Sequence, residues 1–366
     1  MNWVFSGLVD VKEGTVSIVR SNNHFEGTLE ALRLIDKEIH VVVGGRKKFL
    51  IKPNFVSTSV YLSATPRETV DAILNYLYEN LDVSEVLIAE SPASARAEEG
   101  YRNYGYYELR KKYPGLEFGD LDDYEQVEFK LVDEHGEEFS VYVSRLLLDK
   151  SFVKISPCRA KTHDTVVVTL SIKNMVMGGI RRGYKPRMHR GYYSINYNIA
   201  LLATKMMPDL GVVDGVIGME GDGPVFGKPK KWGVVFVSTN PVNLDAAVAY
   251  GMGFDPRDIG YLYFLAKWGY GVIDPDKIPT VGEKLENIKT KFKPHTTYER
   301  QLLWKTMLQQ TLFKQHGVYN MEVKFIIGSI NGFNLVLYIG VYSWSLLLKS
   351  MVLGSLLLRV SVIWSN

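Results

Sequence analysis

Residues 47–90 read KKFLIKPNFVSTSVYLSATPRETVDAILNYLYENLDVSEVLIAE, and their pattern indicates the architecture of the chain. Two short apolar runs, KKFLIK and EVLIAE, stand at the ends and are typical of buried strands. Between them, TPRE begins at Thr65 and has the form of a helix capping box, with Pro66 at the first helical position. The apolar stripe that follows is Val70, Ile73, Leu74 and Leu77. The stretch therefore predicts a strand, a helix and a second strand.

The same alternation continues along the chain. Further apolar runs are TVSIVR, SFVKIS, GVVDGVIG and WGVVFVS, at residues 15–20, 151–156, 211–218 and 232–238. NPVNLDAAVAYGMG predicts a second clear helix with Asn240 as its N-cap, whereas residues 105–150 indicate an acidic excursion that carries a hairpin. Alternating strands and helices predict an α/β fold: a single doubly wound, largely parallel sheet with flanking helices, in a domain of residues 1–290. The site of such a sheet lies at the carboxyl ends of its strands.

Composition narrows the classes of function. The chain has 366 residues and a net charge of +3, so its overall charge does not favour nucleic acid as a partner. Cys158 is the only cysteine, which excludes an intramolecular disulfide and a cysteine-rich metal site within one chain. No iron–sulfur cluster is therefore expected. The N-terminus lacks the basic segment of a signal peptide, which predicts a cytoplasmic protein.

The C-terminal part changes in character. Residues 291–323 predict an amphipathic helical extension, clearest over residues 297–316, and residues 324–366 form a hydrophobic tail. Residues 325–348 are uncharged throughout and long enough to span a bilayer, which takes about 20 residues. Three interpretations stay open: a membrane anchor that holds the cytoplasmic domain at a membrane, a buried terminal helix, or a tail from a shifted reading frame.

Residues 161–174, KTHDTVVVTLSIKN, have polar clusters at both ends. We predict a helix here, with Asp164 as N-cap and Gly178 in the stop signal, because both ends carry boundary residues. Lys161 would then lie about 18 Å from Lys173, beside a helix N-terminus that attracts anions. The alternative is a strand, which the β-branched run of residues 166–169 favours and which would separate these lysines by about 40 Å.

Other polar clusters follow apolar runs in separate segments. Lys52 and Asn54 end one strand, and the loop RRGYKPRMHRGYY of residues 181–193 packs five Arg or Lys residues together. VVDGVIGMEGDGP, residues 212–224, ends in acidic residues and glycines. We expect one cleft at the carboxyl edge of the sheet to contain Lys52, Lys161, His163, Lys173, His189 and Glu220.

These segments together resemble the domain of unknown function 362 family. The matching stretches are KPNFV, IAESP with GYRNYGYYEL, KTH followed by TLSIKNMVMGGI, His189, VVDGVIGMEGDGPVFGKP and STNPVNLDAAVAYGMGFDP. Their order and spacing hold over roughly residues 48–275. The resemblance implies a single α/β domain but no particular reaction. Many members of that family are expected to carry an attached ferredoxin-like module with iron–sulfur cysteines. The C-terminal part of this sequence contains no cysteine, so this chain is expected to be without that module.

The resemblance implies which residues share the site. These are Lys52, Asn54, Glu90, Lys161, His163, Lys173, Asn174, His189, Asp214, Glu220, Asp222 and Asp245. His163, His189, Asp214 and Glu220 offer nitrogen and oxygen ligands for a metal. No tight ligand spacing such as H-E-x-x-H is present, so we predict no metal site, and whether a metal binds stays open.

We expect an enzyme that acts on a small anionic substrate or cofactor, a carboxylate or phosphate, by acid/base chemistry. The residues expected to bind it are Lys52, Asn54, Lys161, Lys173, Asn174, Arg181, Arg182 and Asp214. Those expected to move protons are His163, His189, Glu220 and Asp222. The alternatives are a non-catalytic, membrane-associated binding protein, with residues 325–348 in the membrane, and a redox-linked partner of a separate iron–sulfur protein. Substrate, cofactor, reaction class and oligomeric state stay open.

Overall fold

The computed structural model describes residues 14–307 and three strands beyond them, at 323–330, 333–339 and 361–362. The strands before residue 308 are β1 Val16–Arg20, β2 Lys48–Ile51, β3 Glu85–Glu90, β4 Leu116–Asp120, β5 Gln126–Val132, β6 Glu138–Ser144, β7 Phe152–Thr162, β8 Val168–Thr169, β9 Leu210–Glu220, β10 Lys228–Lys231, β11 Val234–Ser238 and β12 Thr280–Gly282. The helices are α1 His24–Leu34, α2 Asp36–Val43, α3 Arg67–Asn80, α4 Ala97–Asn103, α5 Ser171–Gly179, α6 Tyr192–Met206, α7 Pro241–Gly251, α8 Gly260–Lys267, α9 Leu285–Ile288 and α10 Tyr298–Gln301.

Within residues 14–307, ten strands form one large sheet. The main path is β12-β1-β11-β9-β7-β2-β3-β4, with β8 paired to β7 and β10 paired to β9. Strands β9, β7, β2, β3 and β4 run parallel to one another, while β11 is antiparallel to both of its neighbours. The strand, helix and strand predicted from residues 47–90 are β2, α3 and β3. β5 and β6 form the separate hairpin predicted within residues 105–150.

Helices cover both faces of this sheet. Because successive side chains of a strand point to opposite faces, neighbouring residues of β9 belong to different layers. Val212 packs into the core beneath α1 and α3, whereas a side chain added at Gly211 would meet Leu244 of α7. Helices α5, α6 and α8 pack together with α7. The doubly wound α/β architecture predicted from the sequence is confirmed.

The sequence predicted that Thr65 caps a helix, and this prediction is wrong. Helix α3 begins at Arg67, and no side chain caps it. The Thr65 hydroxyl instead accepts a hydrogen bond from the amide of Asn54 at 2.8 Å and donates one to the Pro157 carbonyl at 2.9 Å. It therefore fixes the loop after β2 to β7. The predicted cap of α7 is confirmed, because the Asn240 side chain accepts bonds from the amides of residues 242 and 243.

The helix predicted to begin at Asp164 is wrong. β7 runs through Lys161 to Thr162 and turns back, so that Lys161 pairs with Thr169 of β8, and α5 begins only at Ser171. The β-branched residues 166–169 account for this, because they favour extended backbone over helix. Lys161 therefore lies at the end of a strand and Lys173 in the first turn of a helix.

The α/β unit extends past the boundary predicted at residue 290. It ends at Trp304, whose indole is buried and donates a hydrogen bond to the Asp258 carbonyl. In place of the helix predicted over residues 297–316, the structure has the short α10 and a helical turn at residues 304–307. Residues 308–316 lie outside the described part.

The hydrophobic tail is described only in part. Strands β13 Val323–Ile330, β14 Phe333–Ile339 and β15 Ser361–Val362 form an antiparallel sheet. Where the structure describes residues 325–348 it has strands, and not the helix that the membrane-anchor and buried-helix interpretations require; residues 331–332 and 340–348 lie outside the described part. Among the described residues, no helix is long and apolar enough to cross a membrane.

Candidate functional site

A cavity of about 190 Å³ opens at the carboxyl ends of β2, β3 and β7. Parallel strands bring their carboxyl ends to one edge of the sheet, so loops from distant parts of the chain meet there. The cavity is lined by Asn54, Phe55, Val56, Glu90, Ser91, Ala93, His163, Asp164, Thr169, Lys173, Asn174, Met177, Gly178, Lys185, His189 and Pro224.

Lys52 lies beneath the cavity floor in a closed hydrogen-bond network. Its ammonium is fully buried and donates to Glu90 at 2.7 Å, to the Asn174 side chain at 3.0 Å and to the Pro53 carbonyl at 3.0 Å. Gly178 makes room for it, because a Cβ there would come within 2.0 Å of the Lys52 nitrogen. Lys52 therefore orients two residues that line the cavity.

Lys161, like Lys52, holds a cavity-lining residue in place from behind. It is fully buried at the end of β7 and donates to the side chain of Asn54 and to the Ser63 carbonyl. Burial lowers the pKa of Lys161 to about 7. Asn54 in turn donates to Asn174 at 3.0 Å. The structure thus places Lys161 behind Asn54 and not in the cavity wall.

The turn from β7 to β8 presents His163. Val167 in this turn has a φ of 67°, which is unfavourable for a β-branched residue. Buried Gln301 of α10 holds the turn: its side-chain oxygen accepts the Val167 amide, and its nitrogen donates to the His163 carbonyl at 2.8 Å. Backbone strain at a cavity persists only where surrounding contacts enforce it.

His163 is a neutral imidazole. Burial, together with the charge of Lys173, lowers the pKa of His163 to about 3. The amide of Thr165 donates to Nδ1 at 3.0 Å, which places the ring proton on Nε2. The Asp164 carboxylate also lies 3.0 Å from Nδ1, but Nδ1 makes no hydrogen bond to it and instead accepts the Thr165 amide. Nε2 has no hydrogen-bond partner among residues 14–307, so it is free to donate to a ligand.

Lys173 is the most unusual residue of the cavity. It projects from the first turn of α5, and only 6% of it is exposed. Nevertheless, its ammonium makes no hydrogen bond and no ion pair with any residue that the structure describes. Burial lowers the pKa of Lys173 to about 8, with Lys52 acting in the same direction and Asp164 against it. Charged groups are rarely buried without a partner, which sets Lys173 apart from the other lysines of the site.

The basic loop supplies the cavity rim. Lys185 donates to the carbonyls of Met177 and Gly178 at the end of α5, and burial lowers the pKa of Lys185 to about 7. His189 stands on the rim, where its Nδ1 lies 3.4 Å from the Thr165 hydroxyl. Burial and the charge of Lys173 lower the pKa of His189, so it is mainly neutral at physiological pH.

Two other polar atoms of the lining are buried without a hydrogen bond. They are Oε2 of Glu90 and the hydroxyl oxygen of Thr169, neither of which has a partner among the described residues. Buried polar atoms of this kind are uncommon in folded proteins. Together with Lys173 and Nε2 of His163, they give the cavity donors for an anion and one acceptor for a hydroxyl or an amine.

Three residues predicted for the site lie elsewhere. Glu220 accepts the Lys293 amide, and Asp222 accepts the Thr296 amide, so both acids bind a surface segment outside the cavity. Asp214 is buried beneath α1 and α3, where it accepts hydrogen bonds from Thr69 and, at 2.7 Å, His24. The predicted convergence of Glu220 with His163 is wrong because Glu220, at the end of β9, turns to the 293–296 segment.

The two arginines predicted to bind substrate are not in the lining either. Arg182 is paired with Asp120 at 2.7 Å and with Asp122 at 3.2 Å, and so joins the basic loop to the end of β4. Arg181 is exposed, and its amide bonds to the Tyr142 carbonyl. Asp245, implied by the resemblance, accepts the amides of Ser171 and Ile172 at 3.0 Å and thereby caps α5.

Sequence reasoning missed two residues that matter to the cavity. Lys185 belonged to the recognised basic loop, but nothing in its spacing distinguished it from the neighbouring Arg and Lys residues. Gln301 carries no sequence signal at all, because its role depends on contact with a turn some 134 residues away. Among the described residues, no group of three or more His, Cys, Asp or Glu side chains is arranged to hold a metal ion.

Fold and cavity together define an α/β protein with one large sheet and a lysine-containing cavity at the carboxyl edge of its parallel strands. The chain belongs to the domain of unknown function 362 (DUF362) family, whose match covers residues 49–250, more than half of the chain. The resemblance seen in the sequence is confirmed. All of the residues that line the cavity lie within the matched residues.

Two individual proteins are similar to the chain. A thylakoid-associated protein of Synechocystis sp. is 24% identical over 258 residues, which cover 67% of this chain and 76% of that protein. A crystal structure of a Thermotoga maritima protein has 12% identity and a TM-score of 0.30, with 57% of this chain and 55% of that protein covered. The chain therefore spans just over half of the Thermotoga maritima protein.

Proposed function

We propose that the cavity binds a small anionic molecule, a carboxylate or a phosphate, and acts on it by acid/base chemistry. The observation that supports this most strongly is Lys173, a residue that is more than nine-tenths buried and whose ammonium has no partner in the described part of the chain. A buried charge of this kind is stabilised by an opposite charge that arrives with a ligand.

Each lining residue has a defined part in this proposal. Lys173 and Lys185 attract the anion, and the Nε2 proton of His163 donates to one of its oxygens. Lys52 and Lys161 hold Glu90, Asn54 and Asn174 in place from beneath. Lys185 is the candidate proton carrier, because a group with a pKa of about 7 exchanges protons efficiently at neutral pH.

Calorimetric titration with sulfate, phosphate and small carboxylates tests the binding step. We expect Lys173→Met to weaken the tightest anion by roughly 10- to 100-fold, since a charge-assisted hydrogen bond contributes about 1.5–3 kcal/mol. Lys37→Met is the matched control, because this substitution removes the same charge from a lysine that is exposed on α2.

Two results would contradict the proposal. One is the absence of saturable binding for every anion tested at moderate salt. The other is equal weakening by Lys173→Met and Lys37→Met, which would mean that net charge alone attracts the anion.

A second candidate function is binding at an anionic membrane surface. Phe226, on the loop between β9 and β10, is 87% exposed. The 291–293 segment contacts both this loop and β10, so lysines from two parts of the chain lie near Phe226. The exposed ones are Lys228, Lys231, Lys291 and Lys293. An exposed aromatic ring among lysines suits the headgroup region of anionic lipids. The thylakoid association of the Synechocystis relative is consistent with this function.

Sedimentation with lipid vesicles tests this second function independently of the cavity. We expect binding to phosphatidylglycerol vesicles but not to phosphatidylcholine vesicles, and we expect Phe226→Ala to reduce it several-fold. Tyr78→Ala, at an exposed tyrosine remote in sequence, serves as the control. Equal binding of both vesicle types, or no effect of Phe226→Ala, would rule out this surface.

A further inference from the structure

We propose that Lys173 is a covalent nucleophile whose amine forms a Schiff base with the carbonyl carbon of a small 2-oxo acid or anionic aldehyde. This inference rests on the proposed anion-binding function and names the class of substrate. In a 2-oxo acid the carboxylate is bonded directly to the carbonyl carbon. An amine that attracts the carboxylate therefore has the reactive carbon within reach.

Lys173 differs from the other lysines of the site in its availability. The nitrogen of Lys52 is held by Glu90, Asn174 and the Pro53 carbonyl. The nitrogen of Lys161 is held by Asn54 and the Ser63 carbonyl, and Lys161 is not part of the cavity wall. Lys185 is held by two carbonyls of α5. Within residues 14–307, the amine of Lys173 alone among these four makes no hydrogen bond.

The surroundings favour the reactive, neutral amine. Lysines become nucleophilic when they are desolvated or lie near another cation, and both conditions hold for Lys173 beside Lys52. With a pKa of about 8, roughly a fifth of the amine is neutral at pH 7.4, against about a thousandth for an ordinary lysine. Asp164 acts in the opposite direction, while neutral His163 and His189 add no charge.

The reaction balances without an oxidant or a reductant. The lone pair of the Lys173 nitrogen forms a bond to the carbonyl carbon, and the carbonyl π electrons move to oxygen. A proton passes from nitrogen to that oxygen, which gives a carbinolamine. The carbon–oxygen bond then breaks, the hydroxyl takes a proton from the Lys185 ammonium, and water leaves. The product is an iminium whose positive charge remains beside the substrate carboxylate.

Reductive trapping on the full chain tests this inference. The protein is incubated with pyruvate or glyoxylate near pH 7.4, treated with sodium cyanoborohydride, digested and mapped by mass spectrometry. We expect the adduct at Lys173 to form at least about tenfold faster than at exposed Lys37, because of the difference in neutral amine. Saturating sulfate should slow the reaction at Lys173 and leave that at Lys37 unchanged.

Lys173→Arg separates the covalent step from anion binding. Arginine keeps the positive charge but stays protonated and forms no comparable adduct. We expect this variant to bind sulfate and to lose the adduct. Circular dichroism checks its fold. If the arginine variant does not fold, Lys173→Met tests the covalent step alone, because it loses the adduct together with the charge, while labelling of Lys37 should be unchanged.

Three outcomes are distinguishable. Fast, sulfate-protected labelling of Lys173 supports the inference. Sulfate binding without preferential labelling of Lys173 overturns the inference and leaves the proposed anion site intact. Absence of both sulfate binding and preferential labelling overturns the inference and the proposed function together.

Discussion

Lys173 combines deep burial with an unpartnered charge, and this combination makes its protonation sensitive to pH near neutrality. Its ordinary pKa of 10.5 is lowered to about 8 mainly by burial. An anion binds the protonated amine, so it favours the charged form and raises the pKa. Binding must therefore weaken as pH rises through 8, whereas His163, with a pKa of about 3, stays neutral over this range.

We predict that the affinity for sulfate, whose charge is constant from pH 6 to pH 10, falls at least about tenfold between pH 7 and pH 9. Lys185 titrates in the same direction, with a pKa of about 7. Lys173→Met should leave a shallower dependence that comes from Lys185. Calorimetric titration across this range measures both, and an affinity that is flat up to pH 10 would show that no buried lysine binds the anion.

Gly178 determines whether Lys52 can occupy its position. A Cβ at Gly178 would meet the Lys52 nitrogen at 2.0 Å and its Cε at 2.2 Å. We predict that Gly178→Ala lowers the free energy of unfolding by about 1–3 kcal/mol through overpacking and weakens anion binding. Gly183→Ala is the control, because a Cβ at exposed Gly183 meets nothing within 4 Å. Urea denaturation of both variants measures the difference, and equal stability would contradict this packing.

At the scale of elements, the turn between β7 and β8 shows where the sequence sufficed and where it did not. The strand, helix and strand of residues 47–90 could be predicted because their periodicity is local. The polar residues at the ends of β2 and β7 could also be assigned to one edge of a parallel sheet. The conformation of residues 163–172 could not, because it depends on Gln301 and Asp245, which contact it from distant segments.

We predict that Gln301→Leu lowers the free energy of unfolding by about 1–3 kcal/mol, because the buried Val167 amide and the His163 carbonyl lose their partner. Anion binding should weaken as well, since the turn that presents His163 loosens. Glu299→Ala, exposed on the same helix α10, is the control. Unchanged stability of the Gln301 variant would mean that the turn holds its conformation unaided.

At the scale of the whole molecule, residues that follow the last strand of the large sheet complete the site. Phe292, Gln301 and Trp304 are all buried, although the alternation of strands and helices is finished before them. The sequence therefore placed the domain boundary too early. The end of this domain is set by buried side chains in a largely irregular segment, and such a segment has no periodic pattern of apolar residues by which the sequence could reveal it.

We predict that a chain truncated after residue 307 keeps its cooperative thermal unfolding, whereas one truncated after residue 290 does not fold stably. The shorter chain loses three buried side chains and the Gln301 bonds to the His163 turn. Circular dichroism melts of the two truncated chains give the answer. Equal melting of both would show that residues 291–307 are dispensable for the fold.

Diffraction from crystals soaked in selenate would locate an oxyanion directly through the anomalous signal of selenium. We predict an anomalous peak inside the cavity, with a selenate oxygen about 3 Å from the Lys173 nitrogen, and no peak there in crystals of Lys173→Met. Ordered selenate at other basic positions with an empty cavity in the unmodified protein would contradict an anion site built around Lys173.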